Sequence, residues 1–211
     1  MEKIKVINVL FLSGDSGVGR SAIINRIKHE TFPKEYKSTI HDVTITKVYN
    51  YERRKLKFHL KLIEFSSEEL KYKSIPIKYI SDSHIIVLVY SNIETLNKLK
   101  NRWFNYYKEY VNIDNSIIFL VGNKSDLFGN NRDEILNKGQ EFADEIGAHF
   151  ITCSAKIGDN MDNLERFIIT EAKRFIDDEE KYNNVLKKNK AFNLKKNKNN
   201  NINKETSECK C

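Results

Sequence analysis

Apolar runs alternate with helix-spaced patterns through most of this chain. Val6–Leu12 reads as a first strand, and Ser21–Glu30 follows as a helix carrying Ala22, Ile23, Ile24 and Ile27. Val43–Tyr51 and Lys55–Glu64 read as two strands joined through Glu52-Arg53-Arg54. The second alternates strictly, with Leu56, Phe58, Leu60 and Leu62 on one face and Lys55, Lys57, His59 and Lys61 on the other. Such a strand is half exposed and belongs near a sheet edge.

Three short runs rich in β-branched residues come next: His84–Tyr90, Ser116–Gly122 and His149–Cys153. Bounded by polar turns and separated by helices, they predict buried parallel strands. The helices between them carry Leu96, Leu99, Trp103 and Tyr107, then Ile135, Phe142 and Ile146. A last helix is marked by Leu164, Phe167, Ile168, Ala172, Phe175 and Ile176, with Asn160 or Asp162 as its cap. This alternation predicts a doubly wound α/β domain that binds ligands at the carboxyl ends of its strands.

Composition changes the picture only at the end of the chain. The 211 residues carry a net charge of +7, and the stretch 183–211 holds eight lysines against two glutamates, so almost all of that charge sits there. Asparagine and lysine dominate this stretch, which cannot bury enough apolar surface to offset its ordering entropy and reads as a disordered tail after a domain of residues 1–182. No run has the ~18–20 apolar residues of a spanning helix. The start, Met1-Glu2-Lys3, has neither a secretory apolar region nor a myristoylated glycine, so the expected location is cytoplasmic. Of the three cysteines, Cys153 lies in an apolar stretch as a small core residue. Cys209 and Cys211, with one residue between them, have neither disulfide-framework nor zinc-ligand spacing.

The chemistry begins at Gly14-Asp15-Ser16-Gly17-Val18-Gly19-Arg20-Ser21, with Ala22 opening the helix behind it. A strand, a glycine-rich turn and a helix start are the parts of a phosphate cradle. Small residues let backbone N–H groups converge on an anion, and the helix N-terminus adds a favourable dipole. The usual pattern ends in lysine and then serine or threonine; position 20 holds arginine instead. Gly122-Asn123-Lys124-Ser125-Asp126 follows the run Ser116–Val121, and Cys153-Ser154-Ala155-Lys156 follows Ile151.

Asn-Lys-x-Asp and Ser-Ala-Lys, in that order behind a phosphate loop, resemble the guanine-reading motifs of Ras-superfamily GTPases. Tyr36-Lys37-Ser38-Thr39-Ile40 and the Cys209-Lys210-Cys211 ending narrow the resemblance to the Rab family. It implies a six-stranded, mostly parallel small G-protein domain with about five helices that binds GTP or GDP with Mg2+. Asp126 would accept from the N1–H and the exocyclic amine of guanine, a pair of donors that adenine lacks. Lys124 would lie over the base, and the Ala155 N–H would donate to O6. Phe32 would flank the guanine. Ser21 and Thr39 would ligate Mg2+ directly, and Glu64 would hold it through water. The family also implies double geranylgeranylation at Cys209 and Cys211, effector, exchange and activating proteins, prenylation escort and GDI-type proteins, and the cytosolic face of endomembranes.

The likeness breaks at the third family motif, Asp-x-x-Gly-Gln, where this chain has Glu64-Phe65-Ser66-Ser67-Glu68. Glu64 is one methylene longer than the aspartate it replaces, and Mg2+ demands near-octahedral geometry. Ser67 replaces the glycine whose N–H meets the γ-phosphate, at a loss of conformational freedom. Glu68 replaces the glutamine that orients the attacking water; a carboxylate there only accepts and is repelled by phosphate oxygens. Arg20 keeps the charge of lysine, but its planar fork is bulkier than an ammonium. Together they predict weak intrinsic hydrolysis, with no confident catalytic residue.

Plainer readings stand beside these. Residues 64–69 also fit a solvated acidic turn, and the whole chain a pseudo-GTPase scaffold acting through its surface alone. The tail lysines around Phe192 could contact RNA by charge and base stacking. Anionic membrane attraction, at about 1 kcal/mol per lysine near the surface, explains the same charges and goes with the terminal cysteines, so no nucleic acid is expected.

Overall fold

A computed structural model describes residues 4–32, 43–65, 77–111, 116–179 and 182–183. Six strands form one sheet: β1 (Lys5–Ser13), β2 (Val43–Tyr51), β3 (Leu56–Glu64), β4 (Ile85–Tyr90), β5 (Ile117–Gly122) and β6 (His149–Thr152), in the order β2-β3-β1-β4-β5-β6. Among the described residues only the β2–β3 hairpin is antiparallel, and every other pairing is parallel. The doubly wound α/β sheet expected from the alternating runs is therefore present.

Five helices cover it among the described residues: α1 (Arg20–His29), α2 (Ile77–Ser81), α3 (Ile93–Arg102), α4 (Arg132–Ile146) and α5 (Met161–Asp177). The third runs on through a π-helical turn, Trp103–Tyr107, and a last α turn, Lys108–Tyr110. Asn92 starts α3 with a capping box: its side chain accepts from Thr95 N–H at 2.8 Å while the Thr95 hydroxyl accepts from Asn92 N–H.

Sheet position explains each strand's composition. All six residues of β4 are buried because helices cover both faces of a central parallel strand. On one face Val9, Phe11, Val87 and Val121 pack against α1 and α5; on the other Leu10, Leu12, Leu88 and Leu120 pack against α3 and α4. β2 forms the edge, and lysine side chains cover part of it. Lys28 of α1 donates to the Thr46 carbonyl at 2.7 Å, while Lys47 of β2 donates to the Ile27 carbonyl at 2.7 Å.

Three readings from periodicity need correction. Phe167 is 48 % exposed rather than core, because the wide apolar stripe of α5 is already filled by Leu164, Ile168, Ala172 and Phe175. Asn160 holds the cap position of α5 in a left-handed conformation, yet its side chain makes no capping bond and donates instead to the Thr152 carbonyl at 3.0 Å. The helix starts with Arg20 rather than Ser21, since Gly19 at φ 96° is the residue that leaves the helical conformation.

Candidate nucleotide site

Strand register brings the three motifs together. Ser13 pairs with Val89, Val89 with Val121, and Val121 with Ile151, so one row crosses the sheet near its carboxyl edge. Gly14, Asn123 and Ser154 begin one to three residues past that row. β3 runs parallel to β1 and ends at Glu64, level with Phe11.

Two glycines of the phosphate loop are dictated by space. A Cβ on Gly14 would lie 2.1 Å from the Leu99 backbone nitrogen, so only glycine allows α3 to approach the loop this closely. A Cβ on Gly19 would lie 2.3 Å from the Asn123 side-chain nitrogen. Inside the loop, Ser13 Oγ donates to the Asp15 carbonyl at 2.6 Å, and Ser16 N–H donates to the Asp15 carboxylate at 2.8 Å. Lys98 of α3 donates to the other carboxylate oxygen at 2.6 Å, and that bond holds the Asp15 carboxyl below its usual range against the opposing effect of burial. Ser16 and Gly17 are exposed, Val18 is buried, and Ala22 is half-buried behind them on α1.

Asn123 joins the loops. Its Nδ2 donates to the Val18 carbonyl at 2.9 Å, and its Oδ1 accepts from Ala155 N–H at 3.1 Å. The side chain is almost fully buried, so its amide acts as a strut between phosphate loop and Ser-Ala-Lys loop. Ser154 Oγ donates to Asp126 Oδ1 at 2.5 Å, which fixes the carboxylate on one side, and Asp126 is otherwise exposed. Lys124 stands in the left-handed region at φ 63° as the chain turns into Ser125–Leu127. Burial pushes the Cys153 thiol up to about 12, which suits a packing role.

At the metal-expected end, Ser21 Oγ donates to Glu64 Oε2 at 3.1 Å. The extra methylene of Glu64 does not part its carboxylate from the serine. With the hydroxyl proton directed at Glu64, the serine lone pairs are available to a hard cation, so this oxygen pair fits Mg2+ with water and phosphate completing its shell. Arg20 is buried at 6 % exposure. Phe32 is 42 % exposed at the end of a described segment. Thr39, Ser67, Glu68, Cys209 and Cys211 lie outside the described residues.

Some contributors carry no motif. Arg26 of α1 donates to the carbonyls of Ala155 at 3.1 Å, Lys156 at 2.9 Å and Glu30 at 2.8 Å. Asp159 accepts from Ser125 Oγ at 3.1 Å, and its carbonyl accepts from Ser154 N–H at 2.9 Å. Lys98 and Tyr107 meet the phosphate loop from α3 and its π turn. Nothing in the local sequence marks Arg26, whereas Asp159 follows Ser154-Ala155-Lys156 closely enough to be weighed.

The family model described as "Ras family" matches residues 9–174. Over 155 residues the chain is 34% identical to Ras-related protein RABD2a of Arabidopsis thaliana, covering 72% of this chain and 73% of that protein. It is 33% identical over 165 residues to Ras-related protein RIC1 of Oryza sativa subsp. japonica, with 77% of each covered. It is also 33% identical over 154 residues to GTP-binding protein YPTM2 of Zea mays, covering 72% of this chain and 73% of that one. A sheet whose carboxyl edge gathers all three loops and a match over most of the domain lead to one conclusion: this chain belongs to the Ras family, as a Rab-type small GTPase.

Proposed function

We propose that this protein is a GTP-binding switch of intracellular vesicle traffic, held on the cytosolic face of endomembranes by its tail. The observation that carries the reading is the Asn123 strut, which links Val18 of the phosphate loop to Ala155 of the base loop. Residues 14–22 would cradle the phosphates by backbone N–H groups and the α1 dipole. Asp126 would accept from guanine, Ala155 N–H would face O6, and Lys124 and Phe32 would enclose the base. Mg2+, held by Ser21 and Thr39 with Glu64 through water, would neutralise phosphate charge.

Residues 1–182 would form the G domain, and 183–211 a basic tail geranylgeranylated at Cys209 and Cys211. Two lipid chains with basic residues give stable membrane attachment that one chain does not. No helix among the described residues is long and apolar enough to cross a membrane. Effector, exchange and activating proteins, with prenylation escort and GDI-type proteins, would complete the cycle. Intrinsic hydrolysis would be slow, because Glu68 stands where a glutamine orients water, although an activating partner can supply charge in trans.

Direct calorimetry of GDP, GTP and ADP binding, with and without Mg2+, tests the reading. Guanine-selective binding that exchanges faster when Mg2+ is removed is expected. A protein that binds no guanine nucleotide, or holds one without exchange, is instead a pseudo-GTPase scaffold.

A further inference from the structure

The underside of the phosphate loop rests on an element that none of the motifs contains. Tyr107 closes the π-helical turn Trp103–Tyr107, is 1 % exposed, and donates its hydroxyl to the Ser13 carbonyl at 3.3 Å, one residue before the loop begins. The same element holds Asp15 through Lys98 and leaves room for the loop only because position 14 is glycine. A π turn takes up one more residue per turn than an α turn, so the residues after it face directions an unbroken α-helix would not give them. Such turns are rare and recur at functional positions.

Charge gathers at this point. Burial raises the Tyr107 phenol to about 12, and the guanidinium groups of Arg102 and Arg20 oppose that rise, Arg102 also by a hydrogen bond.

We infer that Tyr107 is a positioning residue for the nucleotide phosphates: from the π turn it fixes the Ser13 end of the loop. This inference rests on the guanine-nucleotide reading above. It assigns α3 a part in binding the β-phosphate and none in binding the base. Arg102 supports it by donating to the Tyr107 hydroxyl.

Affinities for GDP and GMP separate this role from a merely structural one, because GMP ends before the β-phosphate. Tyr107→Phe keeps the packed ring and removes the hydroxyl. It is expected to weaken GDP by about three- to tenfold, the worth of one hydrogen bond, with GMP changed by less than about twofold on the same grounds. Arg102→Gln, on a half-exposed position, is a second variant with the same expected selectivity and keeps the test independent of the core. Equal losses for GDP and GMP, or no loss at all, each overturn the inference while leaving guanine binding intact. Absence of guanine-nucleotide binding by the wild-type chain overturns both.

Discussion

Ser21 and Glu64 meet hydroxyl to carboxylate at 3.1 Å, although 43 residues separate them in the chain. The contact fastens the first turn of α1 to the end of β3. In the function proposed above, these are two of the oxygens that would hold Mg2+. Glu64→Gln keeps the length and removes the charge. The Mg2+ concentration needed to retain GDP is expected to rise by about ten- to a hundredfold, as for other outer-sphere partners. Titrating GDP release against free Mg2+ reads this; an unchanged midpoint excludes Glu64 from the metal site.

Asp126 is aligned by Ser154 Oγ at 2.5 Å. Guanine offers two donors to its carboxylate, whereas xanthine carries a carbonyl in place of the exocyclic amine. Asp126→Asn therefore is expected to invert selectivity from GDP to XDP, by at least about tenfold, since each mismatched buried polar pair costs about 1–3 kcal/mol. Competition binding measures it, and retained preference for GDP would show that another residue reads the base.

Arg26 ties α1 to the base loop through the Ala155 and Lys156 carbonyls. Arg26→Ala removes both charge-assisted bonds and lets that loop move away from α1. GDP is expected to dissociate about tenfold faster, for a loss of about 1.5 kcal/mol. Stopped-flow release of a fluorescent GDP analogue decides it; wild-type release kinetics would mean that the Asn123 strut suffices to hold the loop.

His84 lies far from the nucleotide loops, at the amino-terminal side of β4. Its Nδ1 accepts from Asn8 N–H at 3.1 Å, its ring stacks on Tyr182, and it meets Phe175 edge-on. Burial lowers its pKa from 6.5 to about 4. The unfolded chain therefore binds the proton first, so stability is complete above about 6.5 and falls as pH drops toward 4. Between pH 7 and pH 5 this residue is expected to account for about 2 kcal/mol of lost stability. Urea unfolding of wild type and His84→Asn at both pH values checks it: the variant should lose less on acidification, and parallel losses would refute the assignment.

Gly14 and the exposed Lys98 make a useful contrast. A Cβ at position 14 has backbone, not a flexible side chain, at 2.1 Å, so Gly14→Ala must displace α3 or the loop. Overpacking of this kind is expected to cost about 1–3 kcal/mol or more, seen as a lowered Tm. Lys98→Ala removes an exposed ion pair and should leave Tm nearly unchanged while lowering nucleotide affinity at low salt, where Asp15 then repels phosphate. A large fall in Tm for Lys98→Ala would contradict that division.

Several features were legible in the residues alone because they rest on short-range rules. Period-two alternation in Leu56–Leu62 places β3 beside an edge, and continuous apolar composition in Ile85–Tyr90 marks a central strand. The loop 14–21 and the motifs at 123–126 and 154–156 point to the family because each has fixed residue types at fixed offsets.

The rest depended on residues distant in sequence. Arg26 and Lys98 have no local pattern, and their roles, like those of Asp159 and Tyr107, arise only when register and helix packing bring them to the loops. Phe167 shows the opposite failure: helical spacing matched a core position, but the space opposite α5 was already filled. The π turn belongs to the same class, since a one-residue widening of a helix is decided by what its side chains meet, here Ser13 and Arg102. Sequence by itself determined the family and the order of the strands' motifs, because these are local and chemical. Tertiary structure alone decided what holds the phosphate loop in place, because that depends on atoms up to 105 residues away along the chain.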